Sequence, residues 1–268
     1  MKLGVFDSGL GGLLITKAIR ARLPDIDILY YGDTLHLPYG NRSEDAIYMY
    51  TQRAMDYMFS QGCKLVVVAC NTASATALRR LQQIYLPAQQ KGRNIIGVVV
   101  PTLEAAMAAG YRSLGVIGTS YMVHSNVYAD ELRKLNPAMQ IHQLATPLLV
   151  PMIENDGMAW IDGPLQSYLA PLQEKHIECL LLGCTHYPLL KEKIRRILGA
   201  DVALLSQEEI IPEKLADYLA RHPEYSDAIE RQGRMEFQVS DLTPSYAAAA
   251  HQIYGEAIPI VKSQQVFV

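Results

Sequence analysis

The order of apolar and polar residues along the chain predicts an α/β protein. Short apolar runs alternate with longer segments in which apolar residues recur at the period of a helix, a pattern typical of repeated βαβ units. Strands are predicted at residues 2–6, 26–31, 64–69, 94–98, 113–117, 140–144, 178–182 and 202–205. Apolar residues run without alternation through 65–69 and 180–182, so we expect central strands buried on both faces of parallel sheets.

Helices are predicted between these strands. Their expected ranges are 12–23, 43–61, 72–85, 125–135, 186–198 and 244–254. Thr243 and Pro244 have the residue types of an N-cap followed by a first helical position, which favours a helix start there. The polar stretch 221–234 is expected to be a connection.

Composition and charge narrow the class of protein. A chain of 268 residues that is 50% hydrophobic and 19% charged can form a folded core, and its length is typical of about two domains. The net charge of −3 and the lack of basic clusters argue against a nucleic-acid partner. The apolar runs are too short for a membrane span, and four Cys residues do not suggest a disulfide framework. We therefore expect a cytoplasmic protein that does not act on a membrane.

Two segments of the chain share one plan. In 64–73 and in 178–187 a buried strand ends at a cysteine, Cys70 or Cys184, and a helix is expected to follow. Ligand sites of open α/β sheets lie beyond the carboxyl ends of the strands, and a helix start can lower the pKa of a thiol. A free cysteine can also be a simple packing residue. The repetition of the plan favours two chemically active thiols.

A glycine-containing loop follows the first predicted strand. Gly9, Gly11 and Gly12 allow the backbone to approach an anion at a helix start. The loop is neither a dinucleotide fingerprint, since Leu14 replaces the third glycine, nor a phosphate-binding P-loop. Asp7 precedes these glycines and is a candidate acid, base or orienting group, although a capping carboxylate would have the same position.

A second candidate loop spans residues 32–41. It is long for an α/β connection, and loops of this kind are often functional. Asp33 follows a strand directly, while Tyr39 and Gly40 offer a hydroxyl and a free backbone N–H. A plain surface loop is the alternative.

Among the remaining titratable residues, one is a candidate for a catalytic or binding role and the others are expected to have none. His186 lies two residues after Cys184 and could pair with that thiol or with a substrate carboxylate. Cys63 and Cys179 fall at strand starts and are expected to be inert, and Glu154 taken alone is expected at the surface. The cysteine spacing does not support a metal site.

Two thiols, several carboxylates and a histidine suggest acid/base chemistry on a small anionic substrate. Thiols on opposite sides of one carbon could invert its configuration. Residue types and spacing do not choose this reaction over a Cys–His hydrolase or transferase. A noncatalytic binding protein is a further alternative.

Several motifs carry a specific resemblance. The segments 4–12, 31–34 with 38–40, 69–75 and 182–188 occur in order, and 240–244 forms a matching C-terminal block. Together they strongly resemble the glutamate racemases of the cofactor-independent aspartate/glutamate racemase superfamily.

The resemblance implies a reaction and a set of site residues. It implies racemisation of L- and D-glutamate without cofactor or metal, in which two thiols transfer the α-proton and D-glutamate serves peptidoglycan synthesis. Cys70 and Cys184 match the two thiols, assisted by Asp7 and His186 respectively. Asp33 and Glu154 match acids with supporting roles. The implied substrate contacts are Asp7, Ser8, Tyr39, Gly40, Asn71, Thr72, Thr185 and His186.

The resemblance also implies an architecture. We expect two similar doubly wound α/β domains with mostly parallel sheets and an active site in the cleft between them. The first domain would comprise 1–98 and 207–268, and the second 99–206. Glutamate is the expected small-molecule partner, and the protein is expected to be a homodimer.

Two positions depart from the family pattern. Met122 stands where the family usually has Thr, and Leu205 replaces the Asp of an Asp-Ser pair. We expect Met122 to face the cleft, where the missing hydroxyl would remove one hydrogen bond. The alternative is that Met122 packs against a neighbouring helix.

Overall fold

Two parallel β-sheets form the framework of the protein in the computed structural model, which describes residues 1–264. The strands are β1 Leu3–Asp7, β2 Ile28–Gly32, β3 Leu65–Val68, β4 Asn94–Gly97, β5 Ser113–Gly118, β6 Gln140–Ala145, β7 Cys179–Gly183, β8 Ala203–Leu205, β9 Met235–Val239 and β10 Ile260–Lys262. One sheet has the order β10-β9-β2-β1-β3-β4 and the other β6-β5-β7-β8. Every described strand pair is parallel, so the expected α/β fold is confirmed.

Helices connect the strands. They are α1 Gly12–Arg22, α2 Glu44–Ser60, α3 Asn71–Thr76, α4 Leu78–Arg80, α5 Val99–Ala108, α6 Ser120–His124, α7 Val127–Leu135, α8 Leu149–Glu154, α9 Asp162–Gln173, α10 Lys191–Leu198, α11 Gln207–Arg221, α12 Pro223–Ser226 and α13 Pro244–Tyr254. Short 3₁₀ turns occur at Thr34–His36, Tyr39–Asn41, Leu86–Ala88, Gly157–Ala159 and Tyr187–Leu190, and Leu81–Tyr85 is π-helical. In the described part of the chain, no helix is both long and apolar enough to cross a bilayer.

The central strands are buried on both faces, as their sequence predicts. Val66 and Val68 of β3 face one apolar core, while Leu65 and Val67 face another on the opposite side of the sheet. In β7 the apolar side chains likewise divide between two cores. Burial on both faces explains why these runs do not alternate.

The eight predicted strands are confirmed with small shifts at their ends, but two strands were not predicted. β9 alternates polar and apolar residues within a polar region, and β10 has only three residues. Both lie at one end of the larger sheet, where β10 is the edge strand. Pairing with β2 stabilises β9, and this long-range contact has no local signal in the sequence.

The helix predictions were less complete. Helices α5, α6, α8, α9, α11 and α12 were not predicted, and α12 lies within the stretch 221–234 that was expected to be a connection. The expected helix 72–85 is broken into α3, α4 and the π-helical turn. The α13 prediction is confirmed, including the Thr243 cap, whose side chain accepts a hydrogen bond from the Tyr246 N–H. The α2 start is capped in the same way by Ser43.

The strands divide between the sheets by position in the chain. The larger sheet contains the strands that end at or before Gly97 and those that begin at or after Met235, and the smaller sheet contains those between Ser113 and Leu205. The chain thus passes between the sheets twice, through α5 and through α11. We propose on this basis the two-domain division 1–98 with 207–268 and 99–206.

Met122 does not face the cleft, so the expectation for this residue is wrong. Its side chain is buried in the core on one face of the smaller sheet, together with Leu103, Tyr128 and Leu181. Met122 lies in the first turns of α6, and the helix turns this side chain inward against β5. An apolar side chain is therefore suited to the position.

We predict that Met122→Thr destabilises the protein. The change leaves a cavity and buries a hydroxyl, so the free energy of unfolding should fall by about 2–4 kcal/mol. Chemical denaturation would measure the loss. Turnover measured beside it should change little, since Met122 is not among the cleft-lining residues. A gain in turnover with unchanged stability would contradict this placement.

Candidate active site

The carboxyl ends of strands from both sheets meet at one cavity of about 280 Å³. Ser8 follows β1 and Cys70 follows β3 in the larger sheet, while Cys184 follows β7 in the smaller one. All three residues line the cavity. The two thiols that the sequence places at equivalent strand ends therefore share one site.

Most of the predicted site residues line this cavity. They are Ser8, Tyr39, Gly40, Cys70, Asn71, Thr72, Glu154, Cys184, Thr185 and His186. Asp7 and Asp33 are not among the lining residues but lie directly behind them, within hydrogen-bond distance of Thr185 and Tyr39 respectively.

The surroundings of Cys70 disfavour its ionisation. Its sulfur lies 3.2 Å from Ser8 Oγ and accepts a hydrogen bond from the Ala73 N–H at the start of α3. Burial first, and the neighbouring Asp7 charge second, nevertheless raise the pKa of the Cys70 thiol to about 12. The hydrogen bond from the helix start lowers this pKa as expected, but desolvation outweighs it and the Ser8 contact, so the net shift is upward.

Asp7 is a buried carboxyl that joins the two halves of the site. It accepts hydrogen bonds from the Gly9 N–H at 3.0 Å and from the Thr185 hydroxyl at 3.4 Å. Burial raises the pKa of Asp7, while the charge of His186 opposes the shift. A carboxyl in this setting is able to hold or pass a proton.

His186 lies between Cys184 and Glu154. Its Nδ1 is 3.8 Å from the Cys184 sulfur, and its Nε2 is 3.0 Å from Glu154 Oε1. Burial lowers the pKa of His186, but Cys184 and Glu154 raise it more, so it ends well above its usual value. The ring is therefore an imidazolium near neutral pH, and a cation beside a sulfur stabilises a thiolate.

Glu154 is not a surface residue, so the expectation from its sequence position alone is wrong. Its side chain is only 13% exposed and lies against the imidazole of His186. The two residues are far apart in the chain and meet because α8 packs beside the end of β7. This contact has no local sequence signal.

The glycine loop after β1 touches the other sheet's half of the site. A Cβ atom on Gly11 would lie 2.3 Å from Thr185 Oγ1 and 2.6 Å from His186 Nδ1. The backbone of Gly11 is in the ordinary helical region, which any residue can adopt. Glycine is therefore needed here because a side chain would clash with Thr185 and His186, and not because of the backbone conformation. The loop thus allows the two halves of the site to approach closely.

Asp33 supports the loop that carries Tyr39. Its carboxylate accepts hydrogen bonds from the Tyr39 hydroxyl at 2.6 Å and from Ser240 Oγ at 2.7 Å, and His36 Nδ1 lies 2.8 Å away. Asp33 therefore positions the cavity wall without facing the cavity.

The cavity-lining residues that sequence reasoning missed include Thr119, Thr146 and Tyr246. Thr119 follows β5 and Thr146 follows β6, so the rule that ligands bind beyond strand carboxyl ends could have found both. Thr119 Oγ1 lies 3.1 Å from Thr72 Oγ1 and links the two sheets' halves of the cavity. Tyr246 comes from α13 and has no such signal.

The cavity offers hydrogen-bond donors and little positive charge. Hydroxyls, amides and the His186 imidazolium line it, and across residues 1–264 no Lys or Arg does so. No group of three or more His, Cys, Asp or Glu residues in that range could hold a metal ion. Cys63 and Cys179 are buried away from the cavity. The site can bind a small anion and supply two thiols to it.

The pKa of His186 predicts a pH dependence of stability. Because the folded-state pKa is raised, the imidazolium stabilises the fold below the unfolded value near 6.5, and this contribution is lost as pH rises through the folded value. The difference in unfolding free energy between the unmodified protein and His186→Asn should therefore shrink from pH 6 to pH 9. Glu154→Gln should weaken the same dependence. Denaturant titrations at both pH values test this, and a difference that grows with pH would contradict it.

Comparison with known proteins identifies the family. The sequence profile of the Asp/Glu/Hydantoin racemase family matches residues 14–210. A glutamate racemase of Dinoroseobacter shibae is 37% identical over 237 residues, which cover 84% of this chain and 86% of that protein. The crystal structure of a glutamate racemase isoform from Bacillus anthracis superposes with a TM-score of 0.88 at 32% identity, covering 98% of this chain and 97% of the other. The structure of a Francisella tularensis glutamate racemase in complex with D-glutamate superposes with a TM-score of 0.87 at 29% identity, covering 98% of this chain and 96% of the other. The chain therefore belongs to the glutamate racemases of the Asp/Glu/hydantoin racemase family, which makes it an amino-acid racemase.

Proposed function

We propose that this enzyme interconverts L- and D-glutamate by proton transfer between two thiols, without a cofactor. The observation that carries the proposal is that Cys70 and Cys184, from different sheets, line the same buried cavity. The proteins that share this fold include two glutamate racemases, at TM-scores of 0.88 and 0.87, one of them solved with D-glutamate.

The proton transfer balances across the two sulfurs. In one direction the Cys184 thiolate takes the α-proton and becomes a thiol, while the Cys70 thiol gives its proton to the opposite face of the carbon and becomes a thiolate. The reverse direction exchanges these roles. The protonated His186 beside Cys184 and the high pKa of Cys70 support a starting state with one thiolate and one thiol. Only such a state permits inversion in a single encounter.

A thiolate is a weak base for an amino-acid α-proton, so the site must stabilise the carbanion-like transition state. Cys70 and Cys184 are 5% and 7% exposed, so both side chains are shielded from most of the bulk water. Hydrogen-bond donors act more strongly in such surroundings than in bulk water. We assign this role to Thr72 and Thr185, which lie within two residues of the two cysteines, and we assign Asn71 a contact that binds the substrate.

The titratable neighbours have separate tasks. Asp7 lies on the Cys70 side, where its raised pKa suits proton exchange with that thiol. His186, held by Glu154, lies on the Cys184 side. Asp33 acts through Tyr39. Ser8 contacts the Cys70 sulfur, and we propose that it also meets the substrate together with Gly40.

The product of this reaction suggests a cellular role for the enzyme. We propose that the enzyme supplies D-glutamate for peptidoglycan in the cytoplasm and acts as a homodimer. A cavity of about 280 Å³ suits a substrate of amino-acid size. Assay of aspartate beside glutamate would test the substrate preference.

A mechanism with a single active thiol is the alternative for this site, because Cys184, His186 and Glu154 contact one another in the order of a nucleophile, a base and an orienting acid, as in a Cys–His hydrolase. Turnover that survives replacement of Cys70 would favour this alternative over the two-thiol mechanism.

We predict that Cys70→Ser and Cys184→Ser each reduce racemisation at least about 10³-fold, or about 4 kcal/mol of transition-state stabilisation. Chiral chromatography of cofactor-free reactions started from each enantiomer measures the loss. Cys63→Ser and Cys179→Ser are the matched controls, since both thiols are buried but lie outside the cavity. Equal loss in either control would refute the assignment of the pair.

We also predict that Gly11→Ala lowers racemisation by about 10²-fold, because the new methyl group must displace Thr185 and His186 and small misplacements of catalytic groups are costly. Gly163→Ala is the control, since a Cβ there meets nothing within 4 Å. Steady-state kinetics would compare the two variants. Full activity in Gly11→Ala would show that the close approach has no role.

A further inference from the structure

The side-chain amide of Asn71 has hydrogen-bond partners for its oxygen but none for its nitrogen in the described structure. Its Oδ1 accepts a hydrogen bond from the Tyr128 hydroxyl at 2.6 Å and another from Gln207 Nε2 at 3.1 Å. Its Nδ2 is buried and has no hydrogen-bond partner within residues 1–264. An orphaned buried donor is costly unless something else uses it.

The two residues that hold Oδ1 lie behind the cavity wall. Tyr128 and Gln207 are both buried, Gln207 with 1% exposure, and neither lines the cavity, whereas Asn71 does. The carbonyl end of Asn71 is thus turned toward the protein interior. Its unpartnered N–H₂ lies on the other branch of the amide, away from the oxygen that these two residues hold.

Gln207 restricts the orientation of this amide. Its Nε2 also lies 3.2 Å from the Tyr128 hydroxyl, so the three side chains form a closed set of contacts. Turning the Asn71 amide over alone would set its N–H₂ against the N–H₂ of Gln207. Tyr128 by itself would not impose this, because a hydroxyl can donate or accept.

Gln207 lowers the stability of the fold relative to an apolar residue at this position. It is the first residue of α11, where the chain returns from the smaller sheet, and its own Oε1 is buried without a partner in the described structure. A buried amide with one unsatisfied end costs stability compared with an apolar side chain of similar size. Stability therefore does not explain the choice of residue.

We propose that Gln207 is a positioning residue that, together with Tyr128, orients Asn71 so that its N–H₂ donates to a carboxylate of the substrate. The inference rests on the proposed glutamate racemase function and adds a residue outside the cavity to it. An oriented neutral donor is valuable here because no Lys or Arg from residues 1–264 lines the cavity.

The test compares KM with kcat. Gln207→Met keeps the size of the side chain and removes its donor, so KM for glutamate should rise about 3- to 10-fold with kcat within about twofold. This split is expected because a carboxylate is held equally in the ground and transition states. Tyr128→Phe should shift KM in the same direction and serves as a second variant if Gln207→Met folds poorly.

A double-mutant comparison shows whether Gln207 acts through Asn71. In an Asn71→Ala background, Gln207→Met should leave KM unchanged, since no amide remains to orient. The inference is overturned if KM rises equally in both backgrounds, or if Gln207→Met and Tyr128→Phe leave KM unaltered. Inactivity of the unmodified enzyme toward glutamate would instead refute the proposed function.

Discussion

A buried thiol resists ionisation, and the charges placed beside each sulfur decide how the two thiols of this site differ. Cys70 has the carboxyl of Asp7 as its neighbour, and burial raises its pKa to about 12. Cys184 has the imidazolium of His186 beside it, which Glu154 supports. A two-base racemisation requires one thiol and one thiolate at the start. In the mechanism that we propose, the raised pKa of Cys70 makes Cys70 the thiol of this pair.

This electrostatic arrangement depends on close contact between the two sheets. Asp7 and Cys70 belong to the larger sheet, whereas Cys184 and His186 belong to the smaller one. The bare backbone of Gly11 permits their approach, and buried hydrogen bonds join the halves at several points. The desolvation that makes the charges effective exists only while the halves are closed, so fold and chemistry are coupled.

Much of this arrangement follows from the sequence because parallel strands deliver their carboxyl ends to one edge of a sheet. That rule predicted that Asp7, Cys70 and Cys184 lie near a common site. The resemblance of the motifs then indicated the family and the remaining candidate site residues. The same rule reaches Thr119, which was nevertheless overlooked.

What sequence reasoning could not supply depends on tertiary contacts. Glu154 meets His186 only through helix packing, and Met122 is buried by neighbours distant in the chain. The pKa of Cys70 reflects a competition between a helix start and burial, and local sequence shows only the first. β9 is likewise stabilised by its pairing with β2.

The most direct test of the central claim is the early distribution of deuterium when protiated L-glutamate reacts in D₂O. Two thiols on opposite sides of the carbon predict that the D-glutamate formed first carries α-deuterium from the second thiol, while unreacted L-glutamate retains its protium. Mass spectrometry of the separated enantiomers gives both quantities. Deuterium entering recovered L-glutamate as fast as product forms, or product that retains the original protium, would contradict the account.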